Sequence, residues 1–114
     1  MGDKVGLGKN FTQTIKSELD ANKTYEIAKK VCFDSKLNIK EDSKSDESFK
    51  ISASEPMKWL STNWPNNIQI EGELFEGKVI LKVLATSKGT SITQDKNISD
   101  FLNNFVNSLK VYLG

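Results

Sequence analysis

The sequence predicts an α+β domain: a single antiparallel four- to five-stranded sheet with two helices packed on one face, in the order β-α-β-β-β-β-α. Three observations carry this. Residues 68–74 alternate apolar and polar side chains, and a tight turn at Glu76-Gly77 leads into a second strand-like segment over 78–86, the pattern of a hairpin. The last part of the chain holds a continuous apolar stripe at helical spacing. A second, earlier segment, residues 23–35, has its own apolar side at the same spacing.

In chain order, residues 1–10 hold three glycines and little to bury, and are expected to be a flexible tail preceding a single domain over 11–114. Phe11-Thr-Gln-Thr-Ile15 reads as a first strand with Phe11 and Ile15 inward, and Gln13 is the weak point of its pattern. Asn22 is placed to cap a helix over residues 23–35, with Ile27, Ala28, Val31 and Cys32 on one side, Tyr25 at its margin and Phe33 projecting away. Leu37 to Glu41 reads as a short strand, and Asp42 to Glu47 as a charged turn. Phe49, Ile51 and Ala53 alternate with Lys50 and Ser52, and Pro56 ends that strand. Residues 57–67 are irregular and hold both tryptophans. Ile68, Ile70 and Leu74 then alternate with Gln69, Glu71 and Glu73, and the turn at Glu76-Gly77 leads into residues 78–86. Asn97 is placed to cap the final helix, with Asp100 three residues on and Ile98, Phe101, Leu102, Phe105, Leu109, Tyr112 and Leu113 on its stripe.

This layout resembles small bacterial domains of unknown function built as strand–helix–strands–helix. The likeness rests on the helix opening Asn22-Lys-Thr-Tyr25, the Trp64-to-Ile70 entry into the hairpin and the Thr93-Gln-Asp-Lys-Asn97 lead into the last helix, and it spans residues 11–113. It implies the fold and no catalytic residue. The plan also looks like a reduced version of lipid-binding helix-grip folds, in a chain short for their large cavity.

Composition narrows the chemistry. All sixteen basic residues are lysine, and there is neither arginine nor histidine. The chain therefore lacks the bidentate grip that arginine gives phosphates and carboxylates, and the side chain that titrates near neutral pH and most often binds metals. This argues against a hydrolase, a metalloenzyme or a reader of DNA sequence. Interspersed charges summing to +1 favour neither nucleic acid nor an anionic membrane. Ten asparagines beside the lysines suit an AT-rich, bacterial genome. One cysteine gives no support for an oxidising compartment, no run approaches the roughly 18 apolar residues of a membrane span, and no signal peptide is evident; cytoplasmic location is the default, and an excised domain is compatible with all of this.

Few candidate sites stand up. Gly2 to Lys9 has the wrong spacing for a phosphate loop, and Asn10 stands where Ser or Thr is needed. Cys32 has no histidine base and sits on an apolar helix side, where a packed, inert thiol is expected. Asp42, Asp46 and Glu47 lack the glycine of a calcium loop and neighbour Lys40 and Lys44. Glu71 and Glu73 share a strand face open to water, where nothing separates their pKa values. Asn10, Asn22 and Asn97 open glycosylation sequons that asparagine abundance explains. No catalytic, metal-binding or cofactor-binding residue is expected.

What remains is a candidate interaction surface. Trp59 and Trp64 lie in a loop at one end of the sheet, and tryptophan is enriched in binding hot spots; plugging the end of a small core is their plainer role. Ile80 and Leu84 fall on the strand face opposite Val79, Leu81, Val83 and Ala85. The expected function is a non-enzymatic protein-interaction domain that takes another protein or a second copy on the open sheet face or the tryptophan loop. The alternative is a small apolar ligand or lipid held in a cleft between helices and sheet.

Overall fold

The computed structural model describes residues 9–56, 66–87 and 92–113. The expected α+β plan is present. Strand β1 (Lys9–Ser17) leads into helix α1 (Ala21–Asp34), followed by β2 (Asn38–Lys44), β3 (Ser48–Ser54), β4 (Asn67–Phe75), β5 (Lys78–Ser87) and helix α2 (Ile92–Leu113). The sheet is antiparallel, with strand order β1-β5-β4-β3-β2. Strands β2 to β5 form a meander, and α1 carries the chain from the β1 edge to the β2 edge. Both helices cover one face: α1 lies on β2, β3 and β4, and α2 on β1 and β5. Between them and the sheet sit Ile51, Ile70, Leu81, Val83, Phe105 and Leu109, all buried.

Local chemistry explains where elements start and stop, and corrects several expectations. The cap of α1 is Asp20, not Asn22: its Oδ1 accepts from the Lys23 amide at 2.7 Å. Both residue types cap helices well. The choice falls to Asp20 because the buried hydroxyls of Ser17 and Thr24 bond at 2.7 Å, and the Ser17 Oγ also accepts from the Leu19 amide at 3.1 Å, closing the β1–α1 corner there. At the other end Lys36 adopts φ 62°, a left-handed conformation that a non-glycine residue enters at a cost, and the Leu37 amide returns to the Cys32 carbonyl at 2.9 Å.

Strand β1 starts at Lys9, two residues before the expected Phe11, and Gln13 is satisfied on the helix side by donating to Asn103 Oδ1 of α2 at 2.7 Å. Helix α2 starts at Ile92, so Asn97 lies inside it and does not cap it; Ile92-Thr-Gln-Asp-Lys holds no helix breaker. Its stripe also includes Val106, which is buried, whereas Tyr112 at the margin is 45% exposed. Asp42 belongs to β2 and not to a turn. A bulge at Lys40, between the Ile39↔Ala53 and Glu41↔Ser52 pairs, shifts the alternation and turns Asp42 to the helix side. The hairpin joining β4 and β5 closes as expected, with positive φ at both Glu76 (52°) and Gly77 (83°), the backbone of a two-residue hairpin turn.

Candidate functional site

One sheet face carries both helices, and among the described residues the other carries none. Cross-strand register lays out the bare face in rows. Thr14, Lys82, Glu71, Lys50 and Ser43 form the central row, in which charges alternate in sign across three strands. Such opposite-charge neighbours stabilise a sheet face modestly. Ile80 lies in the next row between Lys16 and Glu73, and Leu84 in the row on the other side, between Thr12 and Gln69. The two apolar residues are separated by Lys82 and stand about 13 Å apart along β5. Both are half-buried, partly sheltered by neighbouring side chains.

Trp59 and Trp64 fall outside the described residues. The base of their segment is within them: the Glu55 amide donates to the Asn66 carbonyl and the Asn66 amide to Glu55 Oε1, both at 2.9 Å, with Asn66 buried. These bonds clasp the two ends of the segment at the mouth of the β3–β4 connection.

Glu71 and Glu73 are exposed, and Glu71 Oε2 accepts from the side-chain Nε2 of Gln69 at 2.7 Å. They border an open concavity of about 360 Å³ at the β2–β3 end, together with Lys44, Ser45, Phe49 and Lys50. No helix residue lines it. Cys32 is fully buried, and burial pushes its thiol up to about 12. A thiol so protonated is no nucleophile near neutral pH.

That shift sets a pH dependence. The unfolded thiol ionises near 9.0, whereas the folded one keeps its proton to about 12. Stability from the buried neutral thiol is therefore fully present below the unfolded value and falls by about 1.4 kcal/mol per pH unit between the two. Urea unfolding of wild type and Cys32→Ala from about pH 8 to about pH 11 should show the wild type losing more than about 1 kcal/mol relative to the variant. A constant difference across that range would refute the shift.

A polar cluster that the sequence reading missed ties α1 to the β2 edge. Tyr25 Oη donates to Asp42 Oδ1 at 3.1 Å, and Lys29 Nζ lies 3.4 Å from Tyr25 Oη and 3.5 Å from Asp42 Oδ2. The ammonium also stands 5.1 Å from the centre of the Tyr25 ring. Its hydrogen bond to Tyr25 and the nearby Asp42 carboxylate raise the Lys29 pKa. A nucleophilic or basic lysine needs the opposite shift, so the cluster reads as a fastening between elements. Its spacing is invisible in the chain because the Lys40 bulge decides which way Asp42 points.

No protein-family model matches the chain, and no curated protein is similar to it in sequence. Among solved structures, the chain is similar to the crystal structure of Ara h 8.0201, at 10% identity and a TM-score of 0.49, over 93% of this chain and 97% of that one. At that level the likeness carries no functional argument.

Among the described residues, no group of three or more His, Cys, Asp or Glu is placed to hold a metal ion, and no helix is long and apolar enough to cross a membrane. Other large apolar side chains are exposed, Phe33 at 78%, Phe75 at 60% and Val111 at 79%. Phe33 and Val111 sit on α1 and near the end of α2, away from Ile80 and Leu84, whereas Phe75, at the β4–β5 hairpin tip, follows Glu73 on the same sheet face as Ile80 and lies one row from it.

Proposed function

We propose that this is a non-enzymatic protein-interaction domain and that its bare sheet face receives the partner. The observation that carries this reading is the one-sided cover of the sheet, with Ile80 and Leu84 set into an uncovered face of alternating lysine and glutamate. Apolar side chains interspersed among polar and charged ones are the make-up of a protein contact. The alternation of sign favours a protein surface of mixed charge over nucleic acid or an anionic membrane, both of which call for a basic patch. The absence of histidine, the protonated Cys32 and the raised Lys29 support a binding role over catalysis.

Replacing Ile80 and Leu84 together with lysine tests this. The double variant should keep its circular dichroism and cooperative melting while losing the association held through the bare face, read by native mass spectrometry of gently purified protein. A co-purifying partner protein, or an oligomer larger than a dimer, kept in full by the double variant would rule out this face. The same spectrum addresses the alternative of an apolar ligand between helices and sheet with Trp59 and Trp64 at its mouth: a small-molecule adduct on the wild type would favour that reading.

A further inference from the structure

The sheet ends in two edge strands, β1 and β2, and they are built differently. Strand β2 is guarded in the ways that protect sheet edges from other chains. It carries the bulge at Lys40, and Lys40, Glu41, Asp42 and Lys44 place charge along its length. Strand β1 is guarded less: among the described residues its charges are confined to Lys9 and Lys16, near its two ends. It pairs with β5 over nine residues without a bulge, and its five central residues, Phe11-Thr-Gln-Thr-Ile15, are uncharged.

The order of those residues is self-complementary. Antiparallel neighbours share a face only if the two paired residue numbers sum to an even value, so that inward side chains meet inward ones. A two-fold axis through Gln13, the middle of β1, pairs all nine residues with those of a second copy. Phe11 then lies beside Ile15 of the other copy, Thr12 beside Thr14, and Gln13 beside Gln13. Phe11 and Ile15 are only partly buried at the rim of the core, so each gains apolar cover from the other copy. Thr12 and Thr14 are exposed, and threonine pairs are favourable across strands. Lys16 meets Asn10 and Lys9 meets Ser17, so no like charges oppose one another directly. Moving the axis to Thr12 or Thr14 sets apolar side chains against polar ones.

We infer that β1 is a homodimerisation edge, pairing antiparallel with β1 of a second copy about Gln13 to give one continuous sheet. The axis is perpendicular to the sheet, so both copies present helices on one side and their bare faces merge on the other. Each copy's Gln13–Asn103 bond then flanks the axis.

Two threonine variants of the full chain test this, Thr12→Lys/Thr14→Lys and Thr12→Glu/Thr14→Glu. The pairing sets like charges opposite one another within each variant and opposite charges in their mixture. In light scattering, the wild type should show twice the mass of one chain and each variant half that mass with an unchanged circular dichroism spectrum. An equimolar mixture should regain the dimer. A monomeric wild type, variants that stay dimeric, or folded monomers that mixing fails to rejoin would overturn the inference. Amide exchange of the wild type gives a readout free of any folding defect in the variants. Exchange in β1 should slow with protein concentration while that in β2 does not, and concentration-independent exchange in β1 would also overturn it. The edge dimer should survive Ile80→Lys/Leu84→Lys. Self-association lost there but kept in both threonine variants would belong to the bare face instead.

Discussion

Phe105→Ala should lower the unfolding free energy by about 3–5 kcal/mol, the range for truncating a buried phenylalanine. Phe105 is buried near the middle of the α2 stripe, with Leu102, Val106 and Leu109 around it on the same helix side. That helix joins β1 and β5 to α1, so a cavity at its centre loosens several contacts at once. A domain of this kind has about 5–15 kcal/mol in total, and the variant should keep only part of it. Urea unfolding at constant slope, compared with Val111→Ala on the exposed side of the same helix, gives the measurement. The Val111 change should stay within about 0.5 kcal/mol. Similar values for the two variants would show that α2 is not packed as described.

How much of this was legible in the chain depends on whether the information was local. The β4–β5 hairpin was readable because alternation and a glycine at the turn act within a few residues. Both helices were readable from their stripes, but their starts were not. Asp20 and Asn22 are equally good caps by type, and the Ser17–Thr24 hydroxyl pair that favours Asp20 joins two elements. The side of β2 on which Asp42 lies follows from one bulged residue with no compositional mark, which hid the Tyr25–Lys29–Asp42 cluster. For the candidate surface, the outward placement of Ile80 and Leu84 followed from strand parity alone and agrees with the register. Their partial shelter did not, because it depends on neighbours supplied by β1 and β4. Gln13 breaks the local apolar pattern of β1 because its partner is Asn103, ninety residues away, which no local rule anticipates.

Gly72 is another position whose meaning needs the register. It follows Ile68 and Ile70 in the inward phase of β4, and across the strands it faces Phe49. The Phe49 ring lies over it: a methyl group on Gly72 would come within 2.5 Å of Cζ and closer still to Cε2. The ring has little room to retreat, because Phe49 is buried and packs edge-on against Tyr25 at 5.5 Å between centroids. Gly72→Ala should therefore cost about 1–3 kcal/mol, as overpacking does, despite alanine's better strand propensity. The cost is one of space and not of backbone, unlike at Gly77, where φ is +83° and nothing lies within 4 Å of an added methyl. A double-mutant cycle with Phe49→Leu separates the clash from other losses. The leucine should release the alanine, making the double variant at least about 1 kcal/mol more stable than the sum of the single changes implies. Strict additivity would mean that the ring does not rest on Gly72. The bond between Tyr25 and Asp42 should weaken in Gly72→Ala alone, because displacing Phe49 disturbs the ring that holds Tyr25 against the β2 edge.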